Sequence, residues 1–159
     1  MKKKRSVRES QVEMTQLVLP NDTNYLGNLL GGRLMEWMDI AAAISAQRHS
    51  NRVCVTAAVD NLVFHQPIRL GEVVTLRASV NRVFGTSMEV GVVVTAENQL
   101  TGVRKTANTA YLTFVAISGT GAPVKSDPIH PQTAVERKRF REALARRNAR
   151  LEKRVTAGR

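Results

Sequence analysis

The sequence predicts one α+β domain in which an antiparallel sheet wraps around a single long, apolar helix. Apolar side chains recur at helical spacing from about residue 30 to residue 48, and only a narrow polar stripe interrupts them. A helix this apolar is normally enclosed by other structure. Four β-rich segments follow, joined mostly by short turns, and short turns connect antiparallel neighbours. One sheet around one helix is the simplest arrangement that buries these faces.

The individual elements are predicted in chain order. A strand over residues 13–19 ends before Pro20, and a turn rich in Asn and Asp leads into the helix. After the helix the apolar residues no longer recur at helical spacing, and the segments become rich in β-forming residues. The strands then predicted span residues 53–65, 72–83, 88–97 and 103–117. The first of them is apolar on both faces, so we expect it to lie in the centre of the sheet.

Three parts make up the predicted domain organisation. Residues 1–12 are expected to form a basic, disordered tail, and residues 13–118 the folded domain. Residues 119–159 begin with a loop that holds three of the five prolines. A second helix, predicted over 134–154, is strongly basic and has few large apolar residues, so we expect it to be peripheral.

The net charge of +11 lies almost entirely in the two ends of the chain. Residues 1–8 carry five positive charges, and residues 136–159 carry ten positive and three negative charges. Residues 9–135 carry nine positive and ten negative charges, so the predicted domain is close to neutral. Aromatic residues make up only 4% of the chain and offer no platform for base stacking. We therefore expect no specific nucleic-acid partner, although basic ends can hold anionic partners weakly.

The length, apolar content and cysteine count argue against a membrane-spanning, secreted or disulfide-bonded protein. A chain of 159 residues is long enough for one core, and no apolar run approaches the length of a membrane span. The basic start of the chain resembles that of a signal peptide, but a polar stretch follows where the apolar segment should be. Cys54 is the only cysteine, so no internal disulfide is possible and we expect a reducing compartment, the cytoplasm.

Asp39 is the candidate catalytic residue of the long helix. It lies at the edge of the polar stripe, where its neighbours Gly32, Ala43 and Ala46 are small and leave room for a ligand or another chain. Gly31 and Gly32 lie in the first turn, where free backbone amides favour negative charge. The pattern leaves two interpretations open. Asp39 is either a base beside an oxyanion site or a partly exposed carboxylate without a role.

Nine short segments together carry a resemblance to a known family. They are Leu19-Pro20-Asn21-Asp22-Thr23-Asn24, Gly27-Asn28, Gly31-Gly32, Met38-Asp39, Arg48-His49, Val59-Asp60, Phe64-His65, Gly71-Glu72 and Ser87-Met88-Glu89-Val90. They resemble the acyl-CoA thioesterases of the hot-dog fold, a group that contains bacterial short-chain acyl-CoA hydrolases and the cytosolic brain-type enzyme. The resemblance covers about residues 14–117. It implies the hot-dog fold and hydrolysis of acyl-CoA to a carboxylic acid and coenzyme A.

The resemblance also implies catalytic roles. In that family the Asp of the Met-Asp pair acts as general base or nucleophile, which is Asp39 here. The Asn of the Asp-Thr-Asn segment comes from the other subunit and holds the water or the thioester, which is Asn24 here. The Gly31 amide would polarise the thioester carbonyl. The resemblance implies no metal and no cofactor, since coenzyme A belongs to the substrate.

Further residues are candidates for binding the substrate. They are Gly32, Asn28, Thr56, Gly85, Thr86, Ser87, Arg82, Arg104 and Lys105. Thr56 lies near the place where some hot-dog thioesterases carry a hydroxyl. By resemblance, the turn at residues 85–87 would run beside the pantetheine arm. The three cations would meet the phosphates of coenzyme A, or would be solvated surface charges.

Two other functions and an assembly remain as expectations. A non-catalytic acyl-CoA sensor would resemble a hot-dog domain joined to a DNA-binding domain, but only about a dozen residues precede the first predicted strand. A hot-dog dehydratase would need a His, and neither the buried helix as predicted nor its leading loop contains one. Because Asn24 and Asp39 are far apart along the chain, we expect a homodimer in which they meet across subunits. The resemblance implies three such dimers in a hexamer.

Overall fold

A five-stranded antiparallel sheet wraps around one long helix in the computed structural model, which describes residues 4–60 and 62–158. Helix α1 spans Gly31–Ser50. Two short strands, β1 Arg5–Ser6 and β7 Ile129–His130, pair in parallel, and helix α2 spans Ala134–Ala157. The strands of the main sheet are β2 Val12–Leu17, β3 Val53–Asp60, β4 Val73–Phe84, β5 Ser87–Glu97 and β6 Arg104–Ile117, in the order β2-β4-β5-β6-β3.

Tight turns join the three longest strands. Phe84 pairs with Ser87 across the β4–β5 turn, where Gly85 has a φ of 81° that side-chain-bearing residues rarely adopt. Asn98 closes the β5–β6 turn by accepting the Gly102 amide at 2.8 Å. Since such short connections force neighbouring strands to run antiparallel, these turns fix the middle of the sheet.

Alternation along the strands places one face of the sheet against α1. The fully buried side chains of this inner face include Val74, Leu76, Val80, Val90, Val92, Val94 and Phe114. Helix α1 contributes Leu34, Trp37, Met38, Ala41 and Ala42 to the same core. The hot-dog fold expected from the sequence is therefore confirmed. Within the described residues no helix is long and apolar enough to cross a bilayer.

Strand β3 differs from its prediction in position and length. It ends at Asp60 and lies at an edge of the sheet, not in its centre. Its valines Val53, Val55 and Val59 are 43–60% exposed in the single chain. The prediction assumed that an apolar strand is covered by its own chain. An edge strand of this kind offers its backbone and its apolar side chains to another chain instead.

The predicted N-terminal tail is ordered over most of its length. Val7 is 4% exposed and Ser10 is fully buried. Ser10 Oγ accepts the Val80 amide at 3.0 Å, and Ser45 Oγ donates to the Ser10 carbonyl at 2.7 Å. Burial of Val7 and the hydrogen bonds of Ser10 thus anchor residues 7–10, which were predicted to be disordered because of the basic charge around them. The expectation for residues 1–3 lies outside the described part of the chain.

Helix α2 packs on the outer face of the sheet and is held there by arginines. Arg146 donates to both carboxylate oxygens of Glu89, at 3.0 and 2.7 Å, and Glu89 is only 2% exposed. The same guanidinium lies 3.5 Å from the ring centroid of Tyr111. Arg150 Nη1 donates to Asp60 Oδ2 at 2.5 Å. The helix is therefore peripheral, as expected, but it is bound through a buried ion pair.

Candidate active site

Helix α1 and strand β3 bring Asp39 and Thr56 together. Thr56 Oγ1 donates a hydrogen bond to Asp39 Oδ1 at 2.6 Å. Thr56 precedes a register shift in the β3–β6 pairing, between Thr56 and Ala58. Irregularities of this kind bend a strand and re-aim its side chains. The hydroxyl fixes one carboxylate oxygen, so the other oxygen of Asp39 can act on a ligand.

An apolar cavity of about 350 Å³ opens around Asp39. Its apolar wall consists of Met35, Met38, Val59, Leu62, Ala110 and Leu112. Glu36 also lines it, but Glu36 pairs with Arg33 at 3.1 Å. Asp39 has no ion-pair partner among the described cations. It is therefore the carboxylate of this cavity that is not neutralised by a cation.

Asn24 lines a second cavity, of about 300 Å³, together with Gly31. The Asn24 Oδ1 atom accepts the amides of Leu26 and Asn28, at 3.0 and 3.2 Å. These two bonds occupy the carbonyl oxygen and fix the side chain. The Nδ2 group has no acceptor among the described residues, so it can donate to a ligand.

Helix α1 begins with free backbone donors beside Asn24. Leu30 occupies the N-cap position and offers no side-chain acceptor to the first turn. The amides of Gly31 and Gly32 find no acceptor within the described chain. A Cβ at position 31 would lie 3.3 Å from the Phe64 ring, so glycine allows the helix to start close to this ring. Free amides at a helix N-terminus favour negative charge, including the developing charge of an oxyanion.

The catalytic candidates therefore form two separate groups in one chain. Asp39, Thr56 and Gly32 line one cavity, whereas Asn24 and Gly31 line the other. Within one chain Gly31 therefore lines the same cavity as Asn24 and not the cavity of Asp39. The sequence did not predict this arrangement. Asn28 also lines the cavity of Asn24.

The remaining substrate-binding candidates line neither cavity. Arg82 donates to the Phe140 carbonyl at 3.1 Å and lies over the Phe140 ring, so it is engaged in holding α2. Arg104 pairs with Glu97 at 3.3 Å and is largely exposed. Residues 85–87 form the β4–β5 turn.

Lys105 lies closest to the second cavity among the three candidate cations. Its Nζ atom donates to the Pro67 carbonyl at 2.9 Å, and Pro67 lines the cavity of Asn24. All three cations therefore have partners within the chain, but Arg104, at 73% exposure, is the one that solvent reaches most freely.

Most residues of the two cavity walls were not predicted as site residues. Leu62 lines the first cavity, and Phe64 to Ile68 line the second. The predicted strand ran over residues 53–65 and was ended by Pro67, so Leu62 and Phe64 were assigned to the strand and residues 66–68 to the connection after it. The apolar residues that continue up to Phe64 give no sign that the strand ends at Asp60.

Two other titratable groups lie outside both cavities. Burial lowers the pKa of His49, and its hydrogen bond with the Asp127 carbonyl at 2.7 Å acts in the opposite direction. Burial raises the pKa of the Cys54 thiol, which favours the neutral form. The described residues contain no cluster of His, Cys, Asp and Glu that is suited to a metal.

Several proteins of similar sequence are named as acyl-CoA thioesterases or acyl-CoA thioester hydrolases. A family model described as the thioesterase superfamily matches residues 26–103. YkhA of Bacillus subtilis, named as an uncharacterized acyl-CoA thioester hydrolase, is 42% identical over 146 residues, which cover 92% of this chain and 85% of that protein. The acetyl-coenzyme A thioesterase of Rattus norvegicus is 36% identical over 92% of this chain, but over only 26% of its own length. The chain spans about a quarter of such longer relatives.

Solved structures of similar sequence share the whole fold. An acyl-CoA hydrolase from Bacillus cereus superposes with a TM-score of 0.93 at 36% identity, over 98% of this chain and 95% of that one. An apo-hexameric acyl-CoA thioesterase gives 0.92 at 36% identity, over 95% and 97%. The acyl-CoA hydrolase of Staphylococcus aureus, solved with butyryl coenzyme A and coenzyme A, gives 0.91 at 31% identity, over 98% and 95%. That enzyme has also been solved with an aspartate, a threonine or an asparagine replaced by alanine.

Proposed function

The chain belongs to the thioesterase superfamily, and on this basis we propose that it hydrolyses acyl-CoA thioesters to a carboxylic acid and coenzyme A. The observation that carries the proposal is the hydrogen bond between Thr56 and Asp39 at the wall of an otherwise apolar cavity. The apolar wall suits an acyl chain, and the carboxylate can deprotonate a water molecule. A thioester lacks the resonance protection of an ester, so a positioned base and an oxyanion donor suffice.

Asp39 acts as general base in the proposed reaction. Its free oxygen takes a proton from water, and the water oxygen attacks the thioester carbonyl carbon. The tetrahedral intermediate then expels the thiolate, the C–S bond breaks, and the proton passes from Asp39 to the sulfur. Thr56 keeps the carboxylate oriented throughout. Base catalysis of this kind contributes about 10²–10⁴-fold to the rate.

A nucleophilic role for Asp39 is the second route. Its carboxylate would attack the thioester carbonyl carbon, the C–S bond would break with release of the coenzyme A thiolate, and an acyl anhydride would form. Attack of water on the aspartyl carbon of this anhydride would release the carboxylic acid and leave an oxygen atom from water in the side chain of Asp39. A single turnover in ¹⁸O-labelled water, followed by mass spectrometry of the peptide that contains Asp39, distinguishes the routes when label is found there.

The oxyanion donors come from the second cavity in this proposal. Asn24 Nδ2 and the Gly31 amide lie together there, and each can donate to the thioester oxygen. One backbone donor is worth about 10²–10³-fold in rate. Since this cavity is separate from that of Asp39 in one chain, we propose that a complete site is formed by two chains.

The unpaired edge of β3 supports such a dimer. Its exposed valines and free backbone groups suit pairing with a second copy, and β3 also carries Thr56. A two-fold dimer then holds two equivalent sites, each with Asp39 from one subunit and Asn24 from the other. Hexamers among the similar structures support further assembly into three dimers.

The altered residues of the Staphylococcus aureus enzyme support the choice of side chains. They are one asparagine, one aspartate and one threonine, the same types as Asn24, Asp39 and Thr56. The intervals that separate them along that chain equal the intervals between the three residues here.

Thioester hydrolysis by Asp39→Asn and by Glu36→Gln tests the function. Both residues line the same cavity, so the second variant is a matched control. Across acyl-CoA substrates of graded length, the first variant should lose at least ~10²-fold in kcat while the control keeps most of it. Comparable turnover by a folded Asp39→Asn protein would refute the assignment. Wild-type protein that binds acyl-CoA without hydrolysing it would indicate a sensor instead.

A further inference from the structure

Asn108 on β6 is a buried amide that the proposed reaction does not use. Its side chain is 2% exposed, and neither Oδ1 nor Nδ2 has a hydrogen-bond partner among the described residues. Buried polar atoms in native proteins are nearly always paired, because an unpaired amide is unfavourable in an apolar environment. An amide kept at such a position calls for an explanation.

The strand register places Asn108 on the face of the sheet that bears the Asp39 cavity. Side chains two residues apart share a face, so Asn108 shares it with Ala110 and Leu112. Both of these residues line the cavity of Asp39. Asn108 precedes Ala110 by two residues, which is about 7 Å along the strand.

The surroundings of Asn108 on this face are apolar. Its cross-strand partner is Val94, and Ala110 pairs with Val92. Val92 and Val94 are fully buried, as is Ala110. Ala110 is the residue of β6 that lies between Asn108 and the rest of the cavity wall on this face, and its methyl group is the smallest side chain that an alternating strand can place there.

We propose that Asn108 selects the substrate by hydrogen bonding to a polar group on the acyl chain, so that the preferred thioester carries a hydroxyl or oxo group. The inference rests on the proposed acyl-CoA hydrolysis and adds its substrate class. An amide offers one acceptor and two donors, which match a hydroxyl in both roles and a carbonyl as acceptor.

A neutral polar group fits better than a carboxylate. Lys105 is the nearest cation along β6, and it is engaged with the Pro67 carbonyl and with Glu72. An additional carboxylate beside Asn108 would therefore be buried without a counter-ion, which is costly. A site that is built to hydrogen-bond a substrate also discriminates strongly against analogues that lack the group.

Paired substrates of equal chain length test the proposal. Butyryl-CoA is compared with 3-hydroxybutyryl-CoA and acetoacetyl-CoA, and hexanoyl-CoA with its 3-hydroxy and 3-oxo derivatives. The measured quantity is the ratio of kcat/KM for the substituted substrate to that for the plain one. In the wild type this ratio should exceed 10 for at least one pair. Asn108→Leu, which keeps the size of the side chain, should lower that ratio at least 10-fold.

Thr113→Val is the matched control. Thr113 is also on β6 and buried, and its hydroxyl also lacks a partner among the described residues, but it lies on the opposite face of the sheet. Both substitutions should raise the melting temperature, because each removes an unpaired polar group. Only Asn108→Leu should change the substrate ratio. If Asn108→Leu does not fold, Asn108→Ser replaces it, with a smaller fall in the same ratio expected.

The remaining outcomes separate this inference from the proposed function. If the wild type hydrolyses the plain thioesters as fast as the substituted ones, Asn108 does not select a polar acyl group. The same holds if the ratio is unchanged in Asn108→Leu, as expected when water or a second chain pairs the amide. If the wild type hydrolyses no acyl-CoA of any length, the proposed function itself is wrong.

Discussion

The buried ion pair between α2 and the sheet gives the sharpest stability prediction. Arg146→Met removes both hydrogen bonds to Glu89, a carboxylate that is 2% exposed. Breaking a buried pair by removing one partner costs about 3–5 kcal/mol, since the remaining charge is left uncompensated. At 2–4 °C per kcal/mol for a domain of this size, the melting temperature should fall by roughly 6–20 °C.

Thermal and urea unfolding at one fixed protein concentration measure this loss, because oligomers gain stability with concentration. Arg141→Met is the matched control, an exposed arginine on the same helix, and should change stability by no more than about 0.5 kcal/mol. The double variant Arg146→Met with Glu89→Leu should recover most of the loss, since an apolar pair of similar size replaces the ions. Equal stability of the Arg146 and Arg141 variants would refute the reasoning.

The same ion pair determines how removal of the C-terminal residues should affect stability. Charge alone predicts that removal of residues 136–159 leaves the fold intact. The structure predicts a large loss of stability instead, because this deletion strips Arg146 from Glu89 and Arg150 from Asp60. Removal of residues 151–159 alone should be tolerated, since residues 151–158 are exposed. Equal melting temperatures for the two truncated proteins would contradict this prediction.

Three further outcomes follow from the site and from one buried histidine. Thr56→Val should lower kcat roughly 10–100-fold and Thr56→Ser should restore it, since a hydrogen bond to a charged group is worth about 1.5–3 kcal/mol; full activity of the valine variant would show that the bond to Asp39 is not used. Inactive Asn24→Ala and Asp39→Ala proteins, mixed after dissociation and reassembly, should regain about a quarter of wild-type activity, because half of the dimers are mixed and each holds one complete site. No recovery despite proven subunit exchange would place both residues in one chain. Burial lowers the pKa of His49 below its ordinary value of 6.5, so the unfolded chain takes up a proton at higher pH than the folded one. Stability should therefore decline as pH falls below about 6.5, and the decline should be shallower in His49→Gln in urea unfolding at pH 7.5 and 5.5; identical slopes would contradict it.

The spacing of apolar residues predicted the elements whose burial depends on this chain alone. Helix α1 and the alternating strands β4 to β6 are each identified by the spacing of their own residues. The place of β3 could not be predicted this way, because an apolar strand has the same pattern in the centre of a sheet and at an edge that another chain covers. The anchoring of α2 was also hidden, since Arg146 is one of ten cations near the C-terminus and its partner Glu89 lies 57 residues away.

The candidate site was predictable where a residue breaks its local pattern. Asp39 is such a residue, a carboxylate beside small residues on an apolar helix. Asn24 does not stand out in a turn rich in polar residues, and its role was named by resemblance. Thr56 was named only by resemblance, because alternation along β3 gives no sign of a bulge. Asn108 was not identified at all, since a Thr-rich strand with one Asn looks ordinary until the register shows which face it occupies.

Helix α2 and the site are joined through β3. Among the described residues this strand pairs with β6 alone, so its position depends on β6 and on the contacts that hold its ends. Arg150 of α2 holds Asp60 at one end, and Thr56 lies four residues before Asp60 on the same strand. The basic helix therefore does more than carry charge, because it restrains the strand that orients Asp39. The free side of that strand is also the edge we propose for the second subunit. Stability of α2 on the sheet, orientation of the base and completion of the site by a partner thus depend on one strand, and loosening it should weaken all three together.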